Sequence, residues 1–267
     1  MKAFIVNKDI VGDCNSNSEI WENIFSKKEW GKYPSEAIIR FIARNFYNTP
    51  NRNEVKILEL GLGTGANLWF CAREGFRVSG IEYSQSGIER FYKRMGAENL
   101  SNQIDIILQG DYFDKLDDIE NESFDAVIDV GSLVCNDTQK TKTIFLKAMD
   151  KLKNGGKFFS STLATGIFGY DESKGKFQEP QVGIYTNVGT LRFETKESVK
   201  ELYKSKDFNI ESIATSSLEK DDKILDKLYI IEGIKIGGGN RFLIIYTYSK
   251  RIFTNQAKLT HQNRKCG

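Results

Sequence analysis

Hydrophobic positions follow two rhythms along this chain. Between residues 19 and 47 they recur every three to four positions: Trp21, Ile24 and Phe25 first, then Ile38, Ile39, Phe41, Ile42 and Phe46 after Pro34-Ser35-Glu36. That period predicts two amphipathic helices. From Val55 onward, short apolar runs alternate with helical stretches. Strands are predicted near 55–60, 77–82, 104–109, 124–130 and 157–163, and helices near 65–74, 85–95 and 139–152. Such alternation calls for a parallel sheet with right-handed crossovers. The rhythm breaks over 165–192, where glycines interleave with Phe168, Tyr170, Phe177 and Tyr185. Long irregular stretches of this kind are commonly functional lids. Thr195 then reads as the N-cap of a helix over 195–204. The runs 208–215 and 241–248 read as two last strands forming an antiparallel hairpin. The fold expected is α/β: a Rossmann-like, seven-stranded, mostly parallel sheet with helices on both faces. An arm and helical cap occupy 1–50, the main domain 51–250 with 165–192 as a substrate-side insertion after strand five, and a polar tail 251–267.

Composition narrows the class. The chain has 267 residues, 40% hydrophobic and 28% charged, with a net charge of +2. That is enough to bury one sizeable core, and it provides no overall field to recruit nucleic acid. No apolar run approaches the roughly 20 residues of a membrane span, and the first residues lack the apolar core of a secretory leader. The four cysteines, Cys14, Cys71, Cys135 and Cys266, are scattered and match no zinc spacing; free thiols in a cytoplasmic protein are expected. The single histidine, His261, lies in the polar tail. A histidine-based triad or metal cluster would have to recruit that tail, so no metal site is expected.

The chemistry concentrates at Val55–Asn67. An apolar strand ends in Glu59, and Gly61, Gly63 and Gly65 follow at alternate positions before a helix begins. Glycine takes positive φ readily and lets a ligand approach backbone N–H groups. A second strand ends in Glu82, placed where a carboxylate can accept both hydroxyls of a ribose. A third ends in Gly110-Asp111 and a fourth in Asp129. The stretch also fits a dinucleotide fingerprint, so an NAD(P)-dependent oxidoreductase is the rival enzyme. That reading does not require Glu59, Gly110-Asp111 or Asp129. The Tyr170/Lys174 spacing of a short-chain dehydrogenase pair lies here in a glycine-flanked loop and not on a helix.

This ordered series resembles the class I S-adenosylmethionine-dependent methyltransferases. The resemblance implies a glycine motif at Glu59–Gly65, a ribose-binding acid at Glu82, an adenine-side acid at Asp111 and a post-strand-four motif at Asp129–Val134. It implies S-adenosylmethionine as cofactor, with Tyr83 and Tyr112 as candidates to stack on the adenine. The turn Trp30-Gly31-Lys32-Tyr33-Pro34 is similar to an aromatic turn found before the core domain in some small-molecule methyltransferases. On that likeness Lys32 or Tyr33 would reach the cofactor, and bacterial surface-polysaccharide (capsule) biosynthesis is the expected setting. A non-catalytic partner subunit on the same fold is the third reading. The chain lacks the Asn/Asp-Pro-Pro-aromatic turn of base-amine methylases.

Methyl transfer from a sulfonium needs mainly proximity and alignment. Asp129, Asp137 or Tyr170 are the candidate bases if the nucleophile must lose a proton. Alternatively the acceptor is already ionised, which would suit Arg192 and the Lys174/Lys176 pair, since guanidinium clamps oxyanions. Tyr170, Tyr185 and Arg192 are therefore the candidate acceptor-binding residues. The expected acceptor is a small phosphate, phosphoramidate or sugar-type metabolite methylated at oxygen, and the expected assembly is a monomer or homodimer.

Overall fold

The computed structural model describes residues 14–28 and 30–237. Nine strands form one sheet system: β1 (Lys56–Leu60), β2 (Arg77–Glu82), β3 (Ile104–Gln109), β4 (Phe124–Val130), β5 (Leu152–Ala164), β6 (Phe177–Gln178), β7 (Leu191–Glu194), β8 (Phe208–Lys220) and β9 (Lys223–Lys235). The helices are α1 (Cys14–Lys27), α2 (Glu36–Phe46), α3 (Ala66–Arg73), α4 (Gln85–Ala97), α5 (Tyr112–Lys115), α6 (Thr138–Lys151) and α7 (Lys196–Leu202). The main sheet runs β3-β2-β1-β4-β5 with parallel pairing throughout. β9 then pairs antiparallel to β5, and β8 to β9. The strand order reverses between β1 and β4, so the crevice beyond their carboxyl ends is the natural ligand site.

Local chemistry sets the element boundaries. Ser35, Ser84, Asp137 and Thr195 each cap a helix with a side-chain oxygen, Thr195 through a full capping box with Ser198. Such caps satisfy amides that have no partner inside the helix. The α2 stripe Ile38, Phe41, Ile42 and Phe46 is buried on one face of the sheet with Phe76 and Phe159. On the opposite face Phe145 of α6 packs edge-on against Phe158, Tyr203 and Phe208 at ring separations of 5.2–5.3 Å. A third, smaller cluster of Val134, Leu163, Ile167, Val188, Leu191 and Phe193 ties the insertion to the carboxyl end of β5.

The terminal hairpin differs from expectation. Its second strand is β9, which follows β8 directly through Asp221-Asp222, both at positive φ (51° and 59°). This is the two-residue, mirror-type turn that matches strand twist, built from aspartates rather than the usual Asn-Gly. β8 is largely exposed beyond Phe208, so the run Ser216–Lys227 carries little apolar alternation to announce a strand. The expected strand at 241–248 and the tail lie outside the described residues, as does the arm over 1–13. The insertion is also less irregular than its composition suggests, containing β6 and ending in β7, which pairs with both β6 and β5.

Removing the Phe145 ring deletes the hub of the aromatic cluster. Phe145→Ala is expected to cost about 3–5 kcal/mol, read as a lowered urea midpoint; a loss under about 1 kcal/mol would mean the ring is not closely packed.

Candidate active site

The glycine loop leaves β1 with Gly61, Gly63 and Gly65 all at positive φ, 70°, 56° and 82°. A Cβ on Gly61 would fall 1.9 Å from Ser132 Oγ, and one on Gly65 would fall 2.2 Å from the Phe91 ring. The loop therefore tolerates no side chain at either point, and it borders a cleft of about 610 Å³ at the β1/β4 reversal. Gly61 and Gly63 line this cleft with Tyr33, Glu59, Glu82, Tyr83, Asp111 and Tyr112. Gly65 is not on the cleft; it makes the turn into α3.

Of the four carboxylates that line the cleft, Glu59, Glu82 and Asp111 are held in different ways, and Asp114 is the fourth. Glu59 is 1% exposed; Oε1 accepts from Asn67 Nδ2 at 2.6 Å, and Oε2 has no partner. Burial raises its carboxyl well above the usual range, with Asp129 and Glu82 adding to the rise and the Asn67 bond opposing it. Glu82 accepts from Gly63 N at 2.7 Å and Ser84 N at 2.8 Å, which shapes the loop from below. Burial raises its pKa too, against those backbone bonds. Asp111 caps α5 through Phe113 N and receives Lys140 Nζ at 2.7 Å. Tyr33 and Tyr83 are 66% and 50% exposed at the rim.

Asp129 is fully buried and does not line the cleft. It accepts from Ser132 N at 2.9 Å, Leu133 N at 3.0 Å and Ser160 Oγ at 2.6 Å. Its oxygens thus hold the turn after β4, where a base or a cofactor contact was expected. Arg192 is likewise internal, 0% exposed. Its Nε pairs with Glu194 at 2.8 Å, and Nη1 donates to Leu133 O, Asn136 O and the Thr141 hydroxyl. It braces the same turn from the other side, and its Nη2 is buried without a partner. Tyr170 packs on Phe193 and borders a separate pocket with Lys174. Tyr185 donates to Asp226 at 2.7 Å. Neither tyrosine lines the cleft, nor do Lys32, Lys174, Lys176 or Asp137.

The remaining wall comes from residues that one-dimensional reasoning missed. Helix α1 crosses the cleft and is fastened at both sides. Asn17 Nδ2 donates to Cys135 O (3.1 Å) and Thr190 O (3.0 Å), while its Oδ1 accepts from Thr190 N (2.9 Å). Glu22 accepts from Ser84 Oγ at 2.5 Å and from Ser86. Between them Trp21 and Phe25 face the cleft, Trp21 standing edge-on to Trp30 at 5.1 Å. The turn after β4 adds Ser132, Cys135 and Asn136. Only the helical period of Trp21 and Phe25 hinted at this wall; the polar residues carry no local signal. Among the described residues no cluster of three or more His, Cys, Asp or Glu is placed to hold a metal, and no helix is long and apolar enough to cross a membrane.

Residues 57–156 match a family model described as a methyltransferase domain. The match spans β1 to the start of β5, including the glycine loop, and it supports methyl transfer as the activity with S-adenosylmethionine as the cofactor. No curated protein matches the chain. Several solved structures share the fold. One, described for the conversion of a disulfide bond into a thioacetal group during echinomycin biosynthesis, is 15% identical over 88% of this chain and 97% of its own, with a TM-score of 0.60. A SAM-dependent methyltransferase from Methanosarcina mazei is 16% identical over 68% and 93%, TM-score 0.55. Phosphoethanolamine N-methyltransferase 2 of Haemonchus contortus, in complex with S-adenosyl-L-methionine, is 14% identical over 87% and 62%, TM-score 0.59.

Raised carboxyl values have a consequence for stability. Glu59, Glu82 and Asp129 bind protons more tightly folded than unfolded. Their contribution is complete below the unfolded values, 4.5 for glutamate and 3.8 for aspartate, and is lost as pH rises through the higher folded values. Glu59→Gln is expected to raise the melting temperature of the ligand-free protein at alkaline pH and to flatten its decline as pH rises above the unfolded value of 4.5. An unchanged slope would show that Glu59 does not hold a proton in that range.

Proposed function

We propose that this chain binds S-adenosylmethionine in the β1/β4 cleft and transfers its methyl group to a small, uncharged acceptor held under α1. The observation that carries the reading is Glu59 Oε2, a carboxylate oxygen buried without a partner at the glycine loop. An orphaned buried acceptor is costly unless a ligand completes it, and an ammonium group supplies both the proton donors and the compensating charge. Glu59 would thus hold the cofactor's amino group. Gly61 and Gly63 would give its methionine portion close access to the backbone. Glu82, already fixed by two backbone amides, would accept the ribose hydroxyls. Asp111, with Tyr112 and Tyr83, would border the adenine, and Tyr33 the rim. When bound, the cofactor supplies an electrophilic methyl group on a positively charged sulfur. The protein's share is alignment and exclusion of water, for which the wall of Trp21, Phe25 and Trp30 is suited.

An anionic acceptor loses its basis. Arg192 is buried with Nε on Glu194 and Nη1 on the β4 turn, although its Nη2 has no partner, Lys174 faces another pocket, and Lys176 pairs with Glu194. The aromatic turn at 30–34 remains the sole support for a surface-polysaccharide setting. A free metabolite and no nucleic acid fits the net charge of +2. A cytoplasmic monomer or homodimer is the assembly we propose.

Calorimetric titration with S-adenosylhomocysteine, run beside NADH, tests the cofactor assignment. Micromolar binding of the former alone is expected. Glu82→Ala should weaken it about 100-fold or more, since two charge-assisted hydrogen bonds are lost. Binding of NADH instead, or full affinity in the variant, would sink the assignment.

A further inference from the structure

The cleft has two chemically distinct sides. Glu59, Glu82, Asp111 and Asp114 all lie on the side assigned to the cofactor, and Lys140 there is paired with Asp111. The other side is formed by α1 and the turn after β4: Asn17, Ser18, Trp21, Cys135 and Asn136. None of these five carries a charge at neutral pH. Asn17 is committed to the backbone of Cys135 and Thr190. Cys135 keeps its proton, because burial pushes the thiol up to about 12.

Asn136 is different. Its side chain lines the cleft although the residue is only 7% exposed. The Tyr112 hydroxyl lies 3.2 Å from Ser132 O, and a carbonyl can only accept, so the phenolic proton is spent there. The same hydroxyl lies 2.6 Å from the Asn136 amide and must therefore accept. That fixes the amide with Nδ2 toward Tyr112 and leaves Oδ1 as its uncommitted polar atom. The carbonyls at the foot of this residue are held by Arg192 and Asn17, so the amide sits on a braced turn.

We infer that Asn136 Oδ1 holds the methyl acceptor by its N–H and that the accepting atom is an uncharged amine nitrogen; this rests on the methyltransferase reading above. An amide oxygen accepts a hydrogen bond and does not remove a proton near neutral pH. An amine can donate an N–H to it while its lone pair stays available for attack. A hydroxyl would need a base. On this side of the cleft the described lining residues offer none, and Tyr112 is held protonated by its burial. In the step itself the nitrogen lone pair forms the new N–CH3 bond as the C–S bond breaks. That bonding pair goes to sulfur, which becomes a neutral thioether. The positive charge passes to nitrogen and is discharged as the extra proton leaves to water.

Aniline, phenol and benzoate are matched probes that differ in the group offered to Asn136. Each is titrated into the protein saturated with S-adenosylhomocysteine, and each is incubated with methyl-labelled S-adenosylmethionine. Aniline is expected to bind about tenfold tighter than the other two and to be the probe that takes the label. Asn136→Ala should lose about tenfold in aniline affinity while the affinity for S-adenosylhomocysteine stays within about threefold. Asn136→Asp, isosteric and keeping an oxygen at that point, should recover part of it. Asn136→Ser, which presents no carbonyl and keeps a small polar side chain, replaces the alanine variant if that fails to fold. A preference for phenol or benzoate, label on either, aniline affinity indifferent to these variants, or no binding or labelling of aniline would each overturn the inference. Failure of the wild type to bind S-adenosylhomocysteine would instead overturn the cofactor reading beneath it.

Discussion

A carboxylate cut off from water must find its hydrogen bonds inside the protein, and the candidate site is organised around one such group. Asp129, at the end of the central strand β4, satisfies itself with the amides of Ser132 and Leu133 and the hydroxyl of Ser160. The chain has to turn sharply there to deliver those amides. From the other side the buried Arg192 guanidinium takes the carbonyls of Leu133 and Asn136, and Glu194 balances its charge. Breaking such a buried pair would leave an uncompensated charge. Ser132, Cys135 and Asn136 owe their places on the cleft to this double bracing.

Helix α1 extends the same logic across the opening. It touches several separate segments, among them the turn after β4 and the end of the insertion through Asn17, the glycine loop through Phe25, and the loop after β2 through Glu22. Gly189 is required beside it, since a Cβ there would come 2.0 Å from Asn17 Oδ1. The insertion thus meets the cleft indirectly. Its end, at Thr190 and Arg192, supports both α1 and the β4 turn, while Tyr170 and Tyr185 pack away from the cleft.

The strand–helix alternation, the glycine loop and the acids closing β1, β2 and β3 were legible in the sequence because each rests on a local rule. Strand burial demands apolar runs, tight turns demand glycine, and helix starts demand caps. Asp129 and Arg192 lie off the cleft, and the sequence could not show this, for a physical reason. Residue type and strand-end position say that a charge is present, but not whether it faces a cavity or a neighbouring backbone. The hairpin partner β9 was missed because its outer half follows a mirror turn of two aspartates and pairs with an exposed edge strand, where periodicity has no buried face to report.

The sequence by itself therefore determined the layered α/β architecture, the methyltransferase-like order of motifs and the place of the glycine loop, all properties of short segments and their order. The tertiary structure alone decided which charges reach the cleft, because burial depends on segments far apart in the chain. Asn17 lies 173 positions from Thr190, and Arg192 lies 56 from Asn136. The side of the cleft away from Glu59 and Glu82 is made of such encounters between α1, the β4 turn and the end of the insertion.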